Sequence, residues 1–116
     1  MVIIDRGLYD VGVFVLDLAE IDGINDIDVL KWDTNPKNKK YAGWYFHTDI
    51  TGIKVNSRYK GDSRVRKFVV KCIVWHEYCH HYTYMKYGFT GHGKEFIKKY
   101  CSKPLLVVGG FLTPFM

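Results

Sequence analysis

The sequence contains no long apolar run, and this absence excludes a membrane-spanning helix. Such a helix needs about 18 to 20 apolar residues in succession, and no stretch of the 116 residues provides them. The N-terminus lacks the basic segment of a secretory signal, and its first apolar stretch, residues 11–18, is interrupted by Asp17. We therefore predict a protein without contact to a membrane, located in the cytoplasm.

Cysteine is scarce and occurs in an odd number. The three cysteines, Cys72, Cys79 and Cys101, argue against a disulfide framework and for a reducing compartment. Repeats and low-complexity tracts are missing too, and 47% of the residues are hydrophobic, as in an ordinary globular protein. With 116 residues the chain has room for one compact domain, which we predict over residues 1–116.

Acidic side chains are rare in most of the chain, although the net charge is only +5. Residues 1–33 hold eight acidic and two basic side chains, a net −6, whereas residues 34–116 hold four acidic and fifteen basic ones, a net +11. The basic side chains that we predict to contact a nucleic acid, if one binds, are Lys54, Arg58, Lys60, Arg64, Arg66 and Lys67. The alternative is that the acidic and basic segments pair across the fold.

Hydrophobic periodicity predicts an α+β fold. Apolar residues at helical spacing predict a helix over residues 6–22. Short stretches rich in aromatic and β-branched residues predict strands over residues 27–32, 40–48 and 53–56. These strands are expected to form a small three-stranded sheet.

The strongest pattern predicts a helix of about 24 residues that ends at Gly88. Asp62 or Ser63 can cap its start. A last helix is predicted from Thr90-Gly91 through about Ser102. The apolar tail, residues 104–116, is expected to pack as a final strand, with an inhibitory segment lying in a cleft as the alternative.

Within the long helix, residues 76–80 match the pattern H-E-x-x-H. Histidines four residues apart project from one helix face, so His76 and His80 can bind one metal ion. Two imidazoles suit zinc, and Glu77 is close enough to take a proton from an attacking water. The pattern predicts a zinc metallopeptidase, and the alternative is a pair of hydrogen-bonded core histidines.

A catalytic zinc ion usually has three protein ligands. The metzincin pattern fails, because Thr83 and Lys86 stand where it requires glycine and histidine. His92 is the next candidate, since the turn at residues 88–91 can return it toward the ion. Glu95, about one helical turn further, is the rival ligand or, if His92 binds, a residue that supports a ligand or a helix end.

Other side chains near the motif support weaker hypotheses. A structural zinc site formed by Cys72, Cys79 and the two motif histidines is rejected, because four residues on one helix cannot surround a tetrahedral ion. Peptide hydrolysis also needs a group that stabilises the oxyanion. The candidates for this role are Tyr84 and Tyr87, then Tyr100, His81 and Arg58, and the spacing selects none of them.

The two motifs together resemble a known family. The pattern H-E-x-x-H at residues 76–80, followed by G-H-G-K-E-F at residues 91–96, is similar to the SprT-like metallopeptidases, which carry H-E-x-x-H and then H-G-x-x-F. It also resembles the minigluzincins, stand-alone single-domain zincins. The resemblance covers residues 54–100 well and the preceding strands loosely.

The resemblance implies a zincin-like fold, in which the sheet packs on an N-terminal helix, an active-site helix and a third-ligand helix. It implies that His76, His80 and His92 hold one Zn²⁺ ion and that Glu77 is the general base. It also implies that strand 53–56 lies at the cleft rim and pairs with an extended peptide.

Many SprT-like proteins add a four-cysteine zinc ribbon, and the Spartan members add DNA-binding parts for cleaving proteins crosslinked to DNA; these 116 residues contain neither. The predicted function is zinc-dependent hydrolysis of a protein or peptide. The alternatives are a basic zincin-fold protein associated with nucleic acid and a zinc hydrolase of a non-peptide bond. The oligomeric state is not predicted.

Overall fold

The structure is a computed structural model that describes residues 2–35 and 40–110. The first half of the fold comprises β1 (Ile3–Ile4), α1 (Tyr9–Asp22), β2 (Val29–Asp33), β3 (Gly43–Phe46) and β4 (Gly52–Asn56). A short 3-10 helix (Ser57–Tyr59) then leads into α2 (Arg64–Tyr87), α3 (Lys94–Tyr100) and α4 (Pro104–Gly110). The described chain is therefore α+β, as predicted.

The sheet has four strands in the order β1-β2-β4-β3, so the prediction of three strands is wrong. β1 pairs parallel with β2, β2 parallel with β4, and β3 antiparallel with β4. β1 escaped prediction because two residues are too few to give a periodic signal. The expected rim strand, β4, lies inside the sheet, where Ile53 and Val55 are fully buried, and β3 forms the edge instead.

The core forms where α2 crosses the sheet, with α1, α3 and α4 packed against the same helix. Gly43 in β3 permits a close approach between the sheet and α2. A Cβ atom at this position would lie 2.6 Å from Cγ2 of Ile73 and 3.0 Å from the carbonyl oxygen of Lys54, which is too close for ordinary contacts. The missing side chain thus lets the edge strand lie against the middle of α2, next to Glu77.

The bounds of α2 agree with the prediction, because both end signals operate as expected. Ser63 Oγ accepts a hydrogen bond from the backbone N–H of Arg66 at 3.1 Å, and Gly88 adopts a left-handed φ of 79°. The predicted start of the first helix at residue 6 is wrong. Gly7 has a φ of 91°, outside the helical region, so α1 begins only at Tyr9.

The last two helices differ from the prediction. Residues 90–93 form a turn with Gly93 as the N-cap, so α3 starts at Lys94 and not at Thr90. The first half of the apolar tail is helical rather than a strand. Proline is favoured in the first turn of a helix, and Gly109 lets α4 approach α2 closely, since a Cβ atom there would lie 2.4 Å from Sγ of Cys72.

Residues 111–116 lie outside the described residues, and the hypothesis of an inhibitory segment depends on them. Among the helices of residues 2–35 and 40–110, none combines the length and the apolar character needed to cross a membrane.

Candidate metal centre

The middle of α2 carries polar side chains into the interior. His76, Glu77 and His80 are 5%, 1% and 6% exposed. The two imidazoles lie on one helix face, with ring centroids 5.2 Å apart. Burying polar groups is costly unless they find partners, so this stretch is not explained by packing alone.

His92 approaches the same face from the turn before α3. Its Nε2 atom is 3.2 Å from Nε2 of His76. One nitrogen from each of His76, His80 and His92 lies within 4.8 Å of the others. The structure therefore brings together the three residues that the sequence predicts as metal ligands.

The separation of one pair of these nitrogens matches that expected at a shared zinc ion. With Zn–N bonds of about 2.05 Å, two nitrogens of a tetrahedral site lie about 3.3 Å apart, close to the 3.2 Å between His76 and His92. When no ion is bound, the same distance permits a hydrogen bond between the two rings. Three imidazoles are also the ligand set of one class of catalytic zinc site, and they leave the fourth position open.

Phe96 holds the three imidazoles from the side of α3. This residue is 1% exposed, and its ring centroid lies 5.1 Å from that of His76, 4.5 Å from that of His80 and 4.8 Å from that of His92. The indole N–H of Trp75 donates to the carbonyl of Tyr100 at 3.1 Å, which ties α3 to α2. These contacts restrict the orientation of the rings.

Glu77 is the carboxylic acid of the site. Burial raises the pKa of Glu77 well above its ordinary value. Its Oε2 atom has no hydrogen-bond partner within the described part of the chain. With His80 and His92 it lines one side of an open cavity of about 190 Å³. A nearby cation would favour the charged carboxylate, which could then accept a proton.

Trp44, Tyr45 and His47, from the edge strand and the residue after it, also line this cleft, together with Thr90. Sequence reasoning missed His47. It follows an aromatic-rich strand and has no partner at a recognisable spacing, so no local signal was available. Tyr84, a candidate oxyanion stabiliser, stacks on His47 with centroids 4.3 Å apart.

Two other sequence candidates lie elsewhere. Glu95 and Tyr87 line a separate cavity with Tyr82, beside α3, and are not among the residues that line the cleft. Glu95 is also outside the group of converging metal ligands. The geometry therefore brings His92, and not Glu95, to the other two histidines and places Tyr87 in the separate cavity.

His81, named as a weaker candidate, is fully buried behind the cleft. Its ring lies between the hydroxyl of Tyr45 and the backbone carbonyl of Asn25. Tyr100 packs on His76 with centroids 5.2 Å apart. Arg58 lies in the 3-10 helix, where its Nη2 donates to the carbonyl of Lys40 at 3.3 Å.

The basic side chains do not form one continuous surface of unengaged charges. Lys54, in β4, lies over the ring of Phe46. Arg66 Nη1 donates to the carbonyls of Arg58 at 2.7 Å and of Lys60 at 3.4 Å, which joins the start of α2 to the preceding turn. Arg64 and Lys67 are exposed on the first turns of α2.

The acidic and basic segments form little direct pairing. Among residues 2–35 and 40–110, one ion pair joins them, between Lys99 Nζ and Asp22 Oδ1 at 2.8 Å. The two sets of charges are thus not neutralised by a network of ion pairs in this part of the molecule.

Comparison with models of protein families gives a match over most of the chain. The model of the SprT-like family matches residues 20–102, more than two thirds of the chain. The matched segment contains α2, the turn that carries His92, and α3. No curated protein and no solved structure matches the chain.

Proposed function

Because the chain belongs to the SprT-like family, whose domains are of the minigluzincin type, we propose that it is a zinc-dependent metallopeptidase with a zincin-like fold. The observation that carries the proposal is the convergence of His76, His80 and His92 beside a buried glutamate. The substrate is a protein or peptide. The free thiols of Cys72, Cys79 and Cys101 support a reducing, cytoplasmic location.

Three imidazoles and one carboxylic acid divide the chemistry. His76, His80 and His92 hold the zinc ion, which supplies a Lewis acid and makes water more reactive at neutral pH. Glu77 takes a proton from the attacking water and passes it to the nitrogen of the leaving amine. The Oε2 atom of Glu77 is suited to this transfer, because no other described group engages it.

The edge strand supplies a means of holding the substrate. Among the described residues, β3 pairs only with β4, so its other side offers backbone N–H and C=O groups. An extended peptide can pair with such an edge and add a strand to the sheet. Because Trp44 and Tyr45 of this strand also line the cleft, a peptide paired with β3 passes Glu77.

The decisive experiment measures zinc content and peptide cleavage in the wild-type protein and in Glu77→Gln. The variant should retain zinc, since Glu77 is not a ligand, and should lose about 10² to 10⁴-fold in kcat, the usual contribution of a general base. Full activity in Glu77→Gln would contradict the mechanism. A zinc-loaded wild-type protein that cleaves no peptide but hydrolyses an ester would favour the non-peptide hydrolase.

A second candidate function is binding of a nucleic acid, either as a non-enzymatic role or to bring DNA-linked proteins to the peptidase. It is supported by cavities of about 250 and 590 Å³ between α1 and the start of α2. There Lys71 lies over the ring of Phe14 and Lys60 over the ring of Trp32. Aromatic rings with nearby cations suit unpaired bases and their phosphates.

The nucleic-acid proposal is tested by the anisotropy of a labelled single strand at increasing salt concentration. Phosphate contacts release counterions, so affinity should fall steeply between 50 and 200 mM salt on the scale of about tenfold or more. Absence of binding at low salt would contradict this second function and leave the peptidase proposal intact.

A further inference from the structure

We propose that His47 is a further catalytic residue of this cleft, which donates a hydrogen bond to the oxygen of the scissile carbonyl as negative charge develops there. The inference rests on the proposed peptidase function. It assigns the oxyanion role that the sequence left open among Tyr84, Tyr87 and others.

The location of His47 is the first argument. It directly follows the edge strand β3 and lines the same cleft as Glu77, His80 and His92. A peptide that pairs with β3 therefore enters a cleft that is lined by His47 and by two of the proposed metal ligands, His80 and His92. The imidazole is exposed, so it is accessible to an entering substrate.

Tyr45 is another hydrogen-bond donor that the edge strand places at the cleft, but its hydroxyl proton is engaged. His81 Nε2 lies 2.6 Å from the carbonyl oxygen of Asn25. Because a carbonyl only accepts hydrogen bonds, Nε2 carries the proton and Nδ1 of the neutral ring has a lone pair. The hydroxyl of Tyr45, 2.8 Å from Nδ1, therefore donates to His81 and has no second proton for a substrate.

Trp44 and Thr90 also line the cleft and can donate, but both are neutral. His47 is the one lining side chain outside the proposed zinc ligands that can carry a positive charge. A hydrogen bond from a charged donor to an anionic oxygen is about twice as strong as one between neutral groups. A neutral His47 still offers one N–H.

The ring of His47 is also held in place. It stacks on Tyr84, with centroids 4.3 Å apart and planes 32° apart, and lies 5.9 Å from Tyr45 at 25°. Tyr84 is on α2, one turn after His80, and Tyr45 is bonded to His81 of the same helix. The helix that carries Glu77 thus also positions the proposed donor, as electrostatic stabilisation requires.

The role involves no transfer of the proton from His47. The water oxygen forms a bond to the carbonyl carbon, the π pair moves to the carbonyl oxygen, and Glu77 receives the proton of the water. The hydrogen bond from His47 strengthens while this oxygen is negative. When the C–N bond breaks, the pair returns to the carbonyl, and the amine leaves with the proton from Glu77.

The test compares His47→Phe with His47→Gln in the zinc-loaded protein. Phenylalanine keeps a flat ring that can stack on Tyr84 but has no donor, whereas glutamine restores an N–H. We expect His47→Phe to lower kcat about 10² to 10³-fold, the usual effect of removing one oxyanion donor, with little change in KM. His47→Gln should recover part of this loss, and zinc content should stay equal in all three proteins.

A second readout does not depend on turnover. A phosphinic peptide, whose tetrahedral anion mimics the charged oxygen, should bind His47→Phe more weakly by a factor similar to the loss of kcat. Binding of the cleaved product peptide should not change.

Several outcomes would overturn the assignment. The first three are an unchanged kcat in His47→Phe, a change in its KM alone, and full affinity of His47→Phe for the phosphinic peptide. Another is a loss in Trp44→Phe or Thr90→Val with none in His47→Phe, which would transfer the role to that residue. Hydrolysis that needs Glu77 and is indifferent to His47 refutes only this inference, whereas zinc-loaded protein that cleaves no peptide refutes the proposed function as well.

Discussion

The start and the middle of α2 meet different environments on one continuous helix. Residues 64–68 are all exposed and include three positive charges, whereas every residue from 72 to 81 is buried, including three histidines and a glutamate. Exposed charges on a helix are solvated and cost little. Buried titratable groups cost several kcal/mol unless they are paired or bound to a metal. The buried middle of α2 therefore requires a chemical explanation, and its exposed start does not.

This difference predicts how substitutions act along the helix. Changes near the middle should alter metal binding, packing or protonation by large amounts, because neighbouring atoms cannot move aside. Changes at the exposed start should remain within about 0.5 kcal/mol of the wild-type stability.

The largest effect is expected at the metal centre, in a comparison of His92→Ala with Glu95→Ala. His92 contributes one of three converging nitrogens, while Glu95 lines another cavity. Loss of a ligand should weaken zinc binding by more than the 10 to 100-fold that loss of a supporting residue typically costs. Competition with a chelator of known affinity measures this. Equal weakening in both variants would show that Glu95 acts on the metal after all.

The next effect concerns packing, and two glycines make a matched pair. A Cβ atom at Gly43 would lie 2.6 Å from the buried Ile73, and one at Gly61 would lie 2.4 Å from Cδ of Arg66. Arg66 is exposed and can move if its hydrogen bonds to the carbonyls of Arg58 and Lys60 are given up, whereas Ile73 is fully buried. Gly43→Ala should therefore cost about 1 to 3 kcal/mol of unfolding free energy.

Gly61→Ala serves as the control and should cost less than Gly43→Ala, about 0.5 kcal/mol, because the hydrogen bonds of Arg66 that it displaces are exposed. Urea unfolding of both variants without metal gives the two values. Similar losses of unfolding free energy in both variants would mean that the surroundings of the start and of the middle of α2 are equally rigid, which would contradict the proposed difference between them.

The sequence predicted α2 and its motif well because their signals are local. Ser63 and Gly88 mark the ends, and the spacing of His76 and His80 depends only on helix geometry. Long-range contacts have no such signal. Tyr45 meets a residue 36 positions away, and His81 meets the carbonyl of Asn25, 56 positions away. The part of the cleft that the edge strand contributes was therefore not predictable.

The strand order and the tail were missed for related reasons. Whether β4 lies inside the sheet or at its edge depends on parallel pairing with β2, which links distant segments. The tail is equally apolar whether it forms a strand or a helix, so its composition does not distinguish the two. Its close packing of Gly109 against Cys72 on α2 is a tertiary contact that no local pattern of the tail contains.

A smaller effect is expected from protonation of His81. Burial lowers the pKa of His81, although Asp26 and Asp28 act in the opposite direction. The unfolded chain binds a proton near its ordinary pKa of about 6.5, so below that pH the unfolded state holds more protons than the folded one. The stability contributed at neutral pH is therefore lost as pH falls, by up to about 1.4 kcal/mol per pH unit.

His81→Gln isolates this contribution, because glutamine can still donate to Asn25 and accept from Tyr45 but does not titrate. Urea unfolding at several pH values between 7.5 and 5.5, with chelator present, should show a steeper acid loss in the wild type than in the variant. Parallel pH profiles would mean that the folded protein protonates His81 as readily as the unfolded chain does.

The smallest effect on the fold is expected at the exposed start of α2, where Arg64→Gln and Lys67→Gln can be combined. Both side chains are exposed, so the unfolding free energy should stay within about 0.5 kcal/mol of the wild type. The one large effect of these two substitutions would be on the affinity for a nucleic acid. If both contact phosphates of a single strand, the slope of log K against log salt should fall by about 1.4 in the double variant, close to 0.7 per contact. An unchanged slope would mean that these charges serve only as a solvated surface, and the contrast along α2 would then be one between a functional middle and a start that only contacts solvent.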